Sequence, residues 1–307
     1  YAAYGKQIEH GVRLYLAQHG GQLAGQKVEL IIKDDTGIAP EISKRAAQEL
    51  VVKHKVDFLA GFGLTPSAFA VAPLATEAKK PMIIMNAATS SITAKSNYIV
   101  RTSMTLPQKT APMASWAAKN GIKKVFLLVA DYGPGHDAQA QFRKTFTEAG
   151  GQIVDAVRSP VKGPDMAPFL QRIKDAKPDA VFLFLPPGEQ TIAFMKGFVE
   201  RGLGKAGIRI IATGDLTDED LLDAIGDPAL GIINASHYAE AHASPENKAF
   251  VEAYYKAYPK DRPNYMAVGG YDGMQLIDLV LRKNGGSTDP DRFIASAKGM
   301  RWLSPRG

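Results

Sequence analysis

The chain has 307 residues, of which 45% are hydrophobic and 22% are charged, and its formal net charge is +6. This composition is typical of a globular protein large enough for two domains. The chain contains no cysteine, which excludes disulfides, thiolate metal sites and cysteine nucleophiles. Lysine and arginine are scattered, and no nucleic-acid-binding motif accompanies them. We therefore expect a solvated basic surface and no nucleic-acid partner.

The first third of the chain alternates between helical and strand patterns. A loop is predicted over Tyr1–Gly5, and the region 102–108, which contains a proline, is predicted to be extended. The predicted helices are 6–19 and 40–53. Short apolar runs predict strands at 28–32, 58–60, 82–85 and 98–101.

A second series of alternating elements begins at about Lys109. Its predicted strands are 125–130, 152–158, 180–185, 208–212 and 231–235. Its predicted helices are 111–120, one that follows the loop DYGPG and ends at about Ala149, 166–176 and 190–201, and three more follow at 245–258, 265–283 and 290–298. A capping box is predicted from Thr217 and Asp220. Strands that alternate with helices indicate parallel sheets with right-handed crossovers, so the sequence predicts an α/β fold with two similar lobes.

Small and hydroxyl residues follow two consecutive predicted strands within 57–91. The first strand precedes GFGLTPS and the second precedes NAATSS. Parallel strands end at one edge of a sheet, where open α/β folds bind ligands, and a helix N-terminus there favours a carboxylate or phosphate. Ordinary loops with capping hydroxyls would contain the same residues. Two copies in succession, with no acid, base or metal ligand between them, favour anion binding.

Local motifs of common enzyme classes were not found. Pro66 stands where a dinucleotide fingerprint needs a third small residue, and no Walker A loop or G-x-S-x-G elbow is present. His237 and His242 flank Glu240, but their spacing does not fit a zinc motif. Asp34 and Asp35 are explained by a solvated turn. We predict no catalytic residues, no metal and no cofactor, although a Ser–His–Asp triad assembled in space is not decided by sequence.

The order of the motifs resembles that of a known family. YAAYG, GFGLTPS, MIIMNAATSS, VADYGPG and IATGDLTDEDLL together resemble the type I periplasmic solute-binding proteins, and more closely their leucine/isoleucine/valine-binding group in branched-chain amino acid ABC transport. The resemblance covers essentially the whole chain. It implies two Rossmann-like lobes joined by hinge crossings, with the ligand in the cleft between them. The implied lobes are 1–104 with 237–300, and 105–236 with 301–307, and we expect strands to be missing at both ends.

The resemblance also implies which residues contact the ligand. The implied lining is Tyr4, Phe62, Leu64, Thr65, Ala87, Ala88, Thr89, Tyr132, Pro187, Asp215 and Tyr265. Thr65 would donate to a carboxylate. The carbonyl of Ala87 and the hydroxyl of Thr89 would accept from an ammonium. Asp215 matches the acidic residue that completes the ammonium site, although a loop or helix-cap aspartate would also explain it.

Two departures from the family pattern leave the class of ligand open. Branched-chain amino acid binders often carry an aromatic residue where this chain has Pro186-Pro187-Gly188, which leaves more room. Asp215 is shorter than the glutamate of some members. Relatives also look able to bind aromatic carboxylates, which need no ammonium partner, and Phe62 and Tyr265 would stack on a ring.

The resemblance implies a substrate-binding protein of an ABC importer and no enzyme. Its ligand would be an amino acid of the branched-chain type or an aromatic carboxylic acid. We expect a monomer that contacts an inner-membrane permease transiently. No signal peptide is visible, and the family implies a processed, periplasmic protein. A ligand-sensing receptor or regulator domain of the same fold is the alternative, and a hydrolase with a Ser–His pair is a third possibility.

Overall fold

The computed structural model describes residues 2–307, which divide into two units. Unit 1 consists of the residues up to Met104 together with Tyr238–Gly307, and unit 2 consists of Thr105–His237. Both units combine helices with parallel strands, so the predicted α/β class is confirmed. Tyr1 lies outside the described residues.

The elements follow the alternation that the sequence predicts. In chain order they are α1 (Ala2–Gln18), β1 (Gln22–Leu23), β2 (Gln26–Lys27), α2 (Pro40–Val52), β3 (Leu59–Gly61), α3 (Thr65–Glu77), β4 (Met82–Ile84), β5 (Ile99–Arg101), α4 (Leu106–Lys119), β6 (Lys124–Ala130), α5 (Gly133–Glu148), β7 (Gln152–Ser159), α6 (Ala167–Ala176), β8 (Ala180–Phe184), α7 (Glu189–Glu200), β9 (Arg209–Thr213), α8 (Leu222–Ile225), β10 (Ile233–Ala235), α9 (Pro245–Ala257), α10 (Tyr265–Lys283) and α11 (Pro290–Ala297). Short 3-10 helices cover Ser90–Lys95, Gly214–Thr217, Glu219–Leu221 and Asp227–Ala229.

Unit 1 is built on a short parallel sheet with strand order β3-β4-β5. Helices α1 and α10 pack together beside it, and glycines set their separation. A Cβ on Gly11 of α1 would overlap the backbone of Ala267 in α10, and a Cβ on Gly270 would overlap the carbonyl of Ile8. The two helices therefore approach more closely than larger side chains would allow.

Unit 2 contains a parallel sheet with strand order β10-β9-β8-β6-β7. Leu127 of β6 is paired with Phe182 of β8 on one side and with Ala156 of β7 on the other. Every residue of β8 is buried, and so is all of β6 after Lys124, as expected for strands covered by helices on both faces. Because the strands are parallel, the loops after β6, β8 and β9 lie at one edge of the sheet.

Unit 1 holds two buried carboxylates with several partners each. Asp278 accepts hydrogen bonds from the Tyr15 hydroxyl and the Ala24 N–H. Burial opposes ionisation, but these hydrogen bonds and that from a nearby arginine hold the pKa of Asp278 below its ordinary value. Asp272 pairs with Arg306. Burial raises the pKa of Asp272 above its ordinary value despite that partner.

The N-terminal predictions were wrong at two places. The predicted loop Tyr1–Gly5 is helical from Ala2 onward, because the periodicity of α1 continues through it. The predicted strand 28–32 has no ladder partner among the described residues. Val28 and Leu30 pack on the core of unit 1, which explains the apolar alternation. An alternating apolar pattern does not form a β-strand unless a neighbouring strand is present to share its backbone hydrogen bonds.

Three further predictions differ from the structure. The region 102–108 is not wholly extended, because α4 begins at Leu106 with a capping box between Thr105 and Gln108. The predicted capping box at Thr217 is replaced by Asp218, whose side chain accepts from the Asp220 N–H. Residues 301–307 group with unit 1, where Arg306 bonds to Asp272. The sequence had placed them in the second lobe.

Candidate functional site

The loops after β3 and β4 are joined by backbone hydrogen bonds in unit 1. The Met85 N–H donates to the Gly61 carbonyl at 2.8 Å, and the Ala87 N–H donates to the Phe62 carbonyl at 2.9 Å. The Asn86 side chain donates to the Gly63 carbonyl at 2.8 Å. These bonds hold the two predicted binding loops side by side at the carboxyl edge of the sheet, as the sequence predicted for consecutive parallel strands.

Phe62 has a conformation that its type rarely adopts. Its φ angle is +62°, in the left-handed region that bulky residues seldom occupy. Such strained residues persist only where the surroundings fix them, and they are frequent at binding sites. Here the bond from the Ala87 N–H to the Phe62 carbonyl supplies part of that restraint. The side chain of Phe62 is partly exposed.

Thr65 and Thr89 form the polar centre of these two loops. Their hydroxyl oxygens lie 2.8 Å apart, and both residues are buried. Two hydroxyls carry two protons, and one of these forms the hydrogen bond between them. The second proton remains available to a further hydrogen-bond acceptor. Thr65 is the first residue of α3, and its cap residue Leu64 has no side-chain oxygen to accept from the helix N-terminus. Donor groups therefore converge at this point, as an anion site requires.

A hydrogen-bond network supports the start of α3. The Asp35 Oδ2 atom accepts from the Ser67 hydroxyl at 2.8 Å and from the Ser43 hydroxyl at 2.9 Å. The two serine hydroxyls are also 2.8 Å apart. Interpreting Asp34 and Asp35 as a solvated turn was therefore wrong for Asp35, which anchors α2 to α3. The sequence contained no local signal for this, since the three residues are distant in the chain.

The other predicted residues of unit 1 lie close to the same loops or in its core. Leu64, Tyr4 and Tyr265 belong to the hydrophobic core cluster that also contains Ile8. A Cβ on Gly63 would lie 3.4 Å from Tyr4, so Tyr4 packs directly behind the first binding loop. Ala87 is buried and Ala88 is half-buried.

In unit 2, Asp215 lies directly after β9 and is buried. Its Oδ2 atom accepts from the Lys109 ammonium at 2.7 Å and from the Thr213 hydroxyl at 2.6 Å. The side chain of Lys109 is 3% exposed and that of Asp215 is 10% exposed. The predicted ammonium-binding carboxylate thus has an ammonium partner from its own unit.

Lys109 was not among the predicted site residues. It lies in the first turn of α4, and Met113 and Ala117, spaced four apart from it, are buried with it. That spacing puts the lysine on the apolar face of the helix. A lysine on such a face needs a buried partner, and this was the signal available in the sequence. The predicted helix 111–120 instead began two residues after it.

The remaining predicted residues of unit 2 lie at the same edge of its sheet. Tyr132 occupies the N-cap position of α5 after β6, and its ring stacks on Phe184 with centroids 6.1 Å apart. Pro187 is buried in the loop after β8. Gly188 follows with φ of +149°, a conformation that favours glycine. The predicted site residues thus form one set in unit 1 and one set in unit 2.

The histidines flanking Glu240 do not form a metal cluster. Glu240 accepts from the Tyr255 hydroxyl at 2.6 Å and pairs with Arg262. Within residues 2–307 no group of three or more potential ligands could hold a metal ion. In the same part of the chain, no helix has the length and apolar character to span a membrane.

Comparison with known proteins places the chain in a family. A family model described as "Periplasmic binding protein" matches residues 1–307. The chain is 46% identical over 308 residues to Leu/Ile/Val-binding protein homolog 6 of Brucella melitensis, covering all of this chain and 79% of that protein.

Solved structures agree with the family match. An ABC-transporter solute-binding protein from Rhodopseudomonas palustris BisB5, in complex with 3,4-dihydroxybenzoic acid, is 55% identical with a TM-score of 0.95. Another from R. palustris, in complex with 4-hydroxybenzoate, is 46% identical with a TM-score of 0.96. Each comparison covers all of this chain and 84% of the other. The chain therefore belongs to the periplasmic binding protein family, as the order of its motifs indicated.

Proposed function

We propose that this chain is the substrate-binding protein of an ABC importer and that its ligands are aromatic carboxylic acids of the hydroxybenzoate class. The observation that carries the proposal is the buried pair Thr65 and Thr89 at the start of α3, which keeps a hydroxyl donor for an anion. The complexes of the R. palustris proteins with hydroxybenzoates support the choice of ligand.

The proposed contacts follow from the chemistry of each group. The Thr65 hydroxyl donates to the carboxylate and the Thr89 hydroxyl donates to Thr65, because charge-assisted hydrogen bonds are the strong ones. Phe62 offers a partly exposed ring in the loop that leads into Thr65. Aromatic ligands stack favourably on such rings.

The protein acts by binding alone. We propose that it is located in the periplasm, releases its ligand unaltered and meets a membrane permease of the same transporter. The alternative ligand is a branched-chain amino acid, which the name of the Brucella melitensis relative favours. Recovery of unmodified ligand after prolonged incubation, measured by chromatography, would support the absence of an enzymatic step.

A thermal-shift panel tests the class of ligand. At a concentration 100 times its Kd, a ligand adds about 2.7 kcal/mol to the free energy of unfolding, which corresponds to a rise in Tm of roughly 4 °C for a chain of this length. We expect this rise with 4-hydroxybenzoate and none with the matched neutral amide, 4-hydroxybenzamide. An equal rise with the amide would refute the anion site. A rise with leucine alone would favour the branched-chain alternative.

A further inference from the structure

A basic recess opens in unit 2 at the edge of the sheet where strands β6, β8 and β9 begin. It has a volume of about 450 Å³ and is lined by Gly121, Lys123, Lys124, Lys177, Asp179, Gly207 and Arg209. We propose that this recess is a second binding site, for anions that carry phosphate groups. The recess lies at the opposite edge of the sheet from Tyr132 and Asp215, so the inference goes beyond the proposed function and does not depend on it.

The lining of the recess indicates the polarity of its ligand. A volume of this size is ordinary for a small-molecule site, but such sites are mostly apolar. Here every lining residue is either charged or a glycine. Four cations and one carboxylate give the lining a net charge of +3. A concave surface with one dominant sign of charge concentrates ions of the opposite sign, so the recess suits a compact anion with several charges.

Backbone pairing between the strands brings these charges together. The Asp179 N–H donates to the Lys124 carbonyl at 2.9 Å, and the Arg209 N–H donates to the Asp179 carbonyl at 3.0 Å. Lys177 lies two residues before Asp179, at the C-terminal end of α6, with a φ angle of +46°. The basic residues are therefore placed by the register of the sheet and by the end of a helix, and not by a long loop.

The four cations of the recess have no carboxylate partners. Lys123, Lys124, Lys177 and Arg209 are all exposed. Across the described part of the chain, none of the four takes part in an ion pair. Like charges gathered at one place repel one another. A bound anion would relieve this repulsion and would gain attraction from each cation.

The single carboxylate of the lining has a structural role. The Asp179 Oδ2 atom accepts from the backbone N–H groups of Lys123 and Lys124, each at 2.8 Å. These two bonds connect the start of β8 to the start of β6. Asp179 therefore holds the backbone that carries the two lysines, while its negative charge opposes the binding of an anion.

The types of cation favour phosphate as the bound group. The guanidinium of an arginine such as Arg209 can donate two parallel hydrogen bonds to phosphate oxygens, and a lysine ammonium adds a point charge. A phosphate chain places several charges within a small volume, so that cations from three strands and a helix end can share it. An aromatic carboxylate has one charge and an apolar ring, which this polar lining does not suit.

Calorimetric titration of the wild-type chain with sodium tripolyphosphate tests the site. We expect saturable binding of one ligand per chain at low ionic strength. The affinity should fall as salt is added, because the screening length decreases from about 30 Å at 0.01 M to about 8 Å at 0.15 M. Sodium citrate is the matched anion without phosphate. Absence of saturable tripolyphosphate binding, or equal affinity for citrate, would overturn the inference for free phosphate compounds.

Phospholipid headgroups are the other source of phosphate. Sedimentation with phosphatidylcholine vesicles, with and without phosphatidylglycerol, separates this source from free phosphate compounds. Binding to the vesicles that contain phosphatidylglycerol, lost when the recess is neutralised, would assign the site to headgroups. If neither tripolyphosphate nor these vesicles bind, the recess is not a phosphate site.

A double variant locates the binding in the recess. Lys177→Asn/Arg209→Gln should weaken tripolyphosphate binding by about 10-fold, since each exposed ion pair contributes up to about fivefold. Asparagine is chosen at position 177 because it tolerates a positive φ angle. The matched control is Arg143→Gln/Lys196→Gln, which removes two exposed cations of α5 and α7 outside the lining. Equal weakening by the two double variants would show only an effect of net charge and would overturn the site.

Asp179→Asn should change the affinity in the opposite direction. The amide keeps an oxygen for the N–H groups of Lys123 and Lys124 but removes the negative charge, so tripolyphosphate should bind about 3- to 5-fold more tightly. An affinity no higher than that of the wild type would contradict the proposed electrostatics. All these variants should bind 4-hydroxybenzoate as the wild type does, so failure of the phosphate site and failure of the proposed function are distinguishable.

Discussion

The hydroxyl of Thr65 gives the sharpest test of the anion site. Thr65→Val keeps the shape of the side chain and removes the hydroxyl to which the carboxylate of the ligand is assigned. A hydrogen bond to a charged group contributes about 1.5–3 kcal/mol, which corresponds to a loss in affinity for 4-hydroxybenzoate of about 10- to 150-fold. Isothermal titration calorimetry measures this loss directly.

Thr76 provides the matched control on the same helix. Its hydroxyl donates to Ser96 at 2.7 Å, near the end of α3 at Glu77. Thr76→Val and Thr65→Val should each lower the free energy of unfolding by about 1 kcal/mol, since each removes one hydroxyl hydrogen bond. Only Thr65→Val should weaken the ligand. Equal affinities in the two variants would refute the assignment of the carboxylate to Thr65.

Three further predictions concern stability, each measured by urea unfolding. Gly11→Ala should lower the free energy of unfolding by about 1–3 kcal/mol or more, because the added Cβ overpacks against α10. Gly5→Ala in the same helix, where the Cβ meets open space, should raise it by roughly 0.5–1 kcal/mol. Equal effects of the two variants on stability would contradict the close packing of α1 on α10. Arg306→Met should cost about 3–5 kcal/mol because it leaves Asp272 buried without its cation, and a change below 1 kcal/mol would refute this. The pKa of Asp278 is below its ordinary value of 3.8, so its contribution to stability is present above pH 3.8 and is lost as the pH falls through the lowered pKa. Asp278→Asn should therefore reduce the dependence of the free energy of unfolding on pH in the acid range. An unchanged slope of that free energy against pH would disprove this role of Asp278.

Much of the fold could be predicted because its signals are local. The strand at 180–184 is a continuous apolar run between turn residues, and the helix at 265–283 has a clear periodicity. The two binding loops were predicted for the same reason, since each follows a short apolar run and contains small and hydroxyl residues. Their proximity then follows from the geometry of parallel strands.

The rest depended on partners that are distant in the chain. Asp35 looks like a turn residue, and only the fold brings it to the hydroxyl of Ser67. The ion pair between Arg306 and Asp272 connects the last residues of the chain to unit 1. No local sequence pattern indicates this pair. Lys109 was the exception, because its spacing with buried helix neighbours was visible. That signal was lost because the helix was predicted to begin only at position 111, although the proline at position 107 is favourable in a first turn.

The binding of 4-hydroxybenzoate to the wild-type chain tests the central claim most directly. Isothermal titration calorimetry should give one ligand per chain with a Kd in or below the micromolar range, and leucine titrated under the same conditions should give no saturable heat. Saturable, stoichiometric binding of leucine together with no binding of 4-hydroxybenzoate would contradict the account.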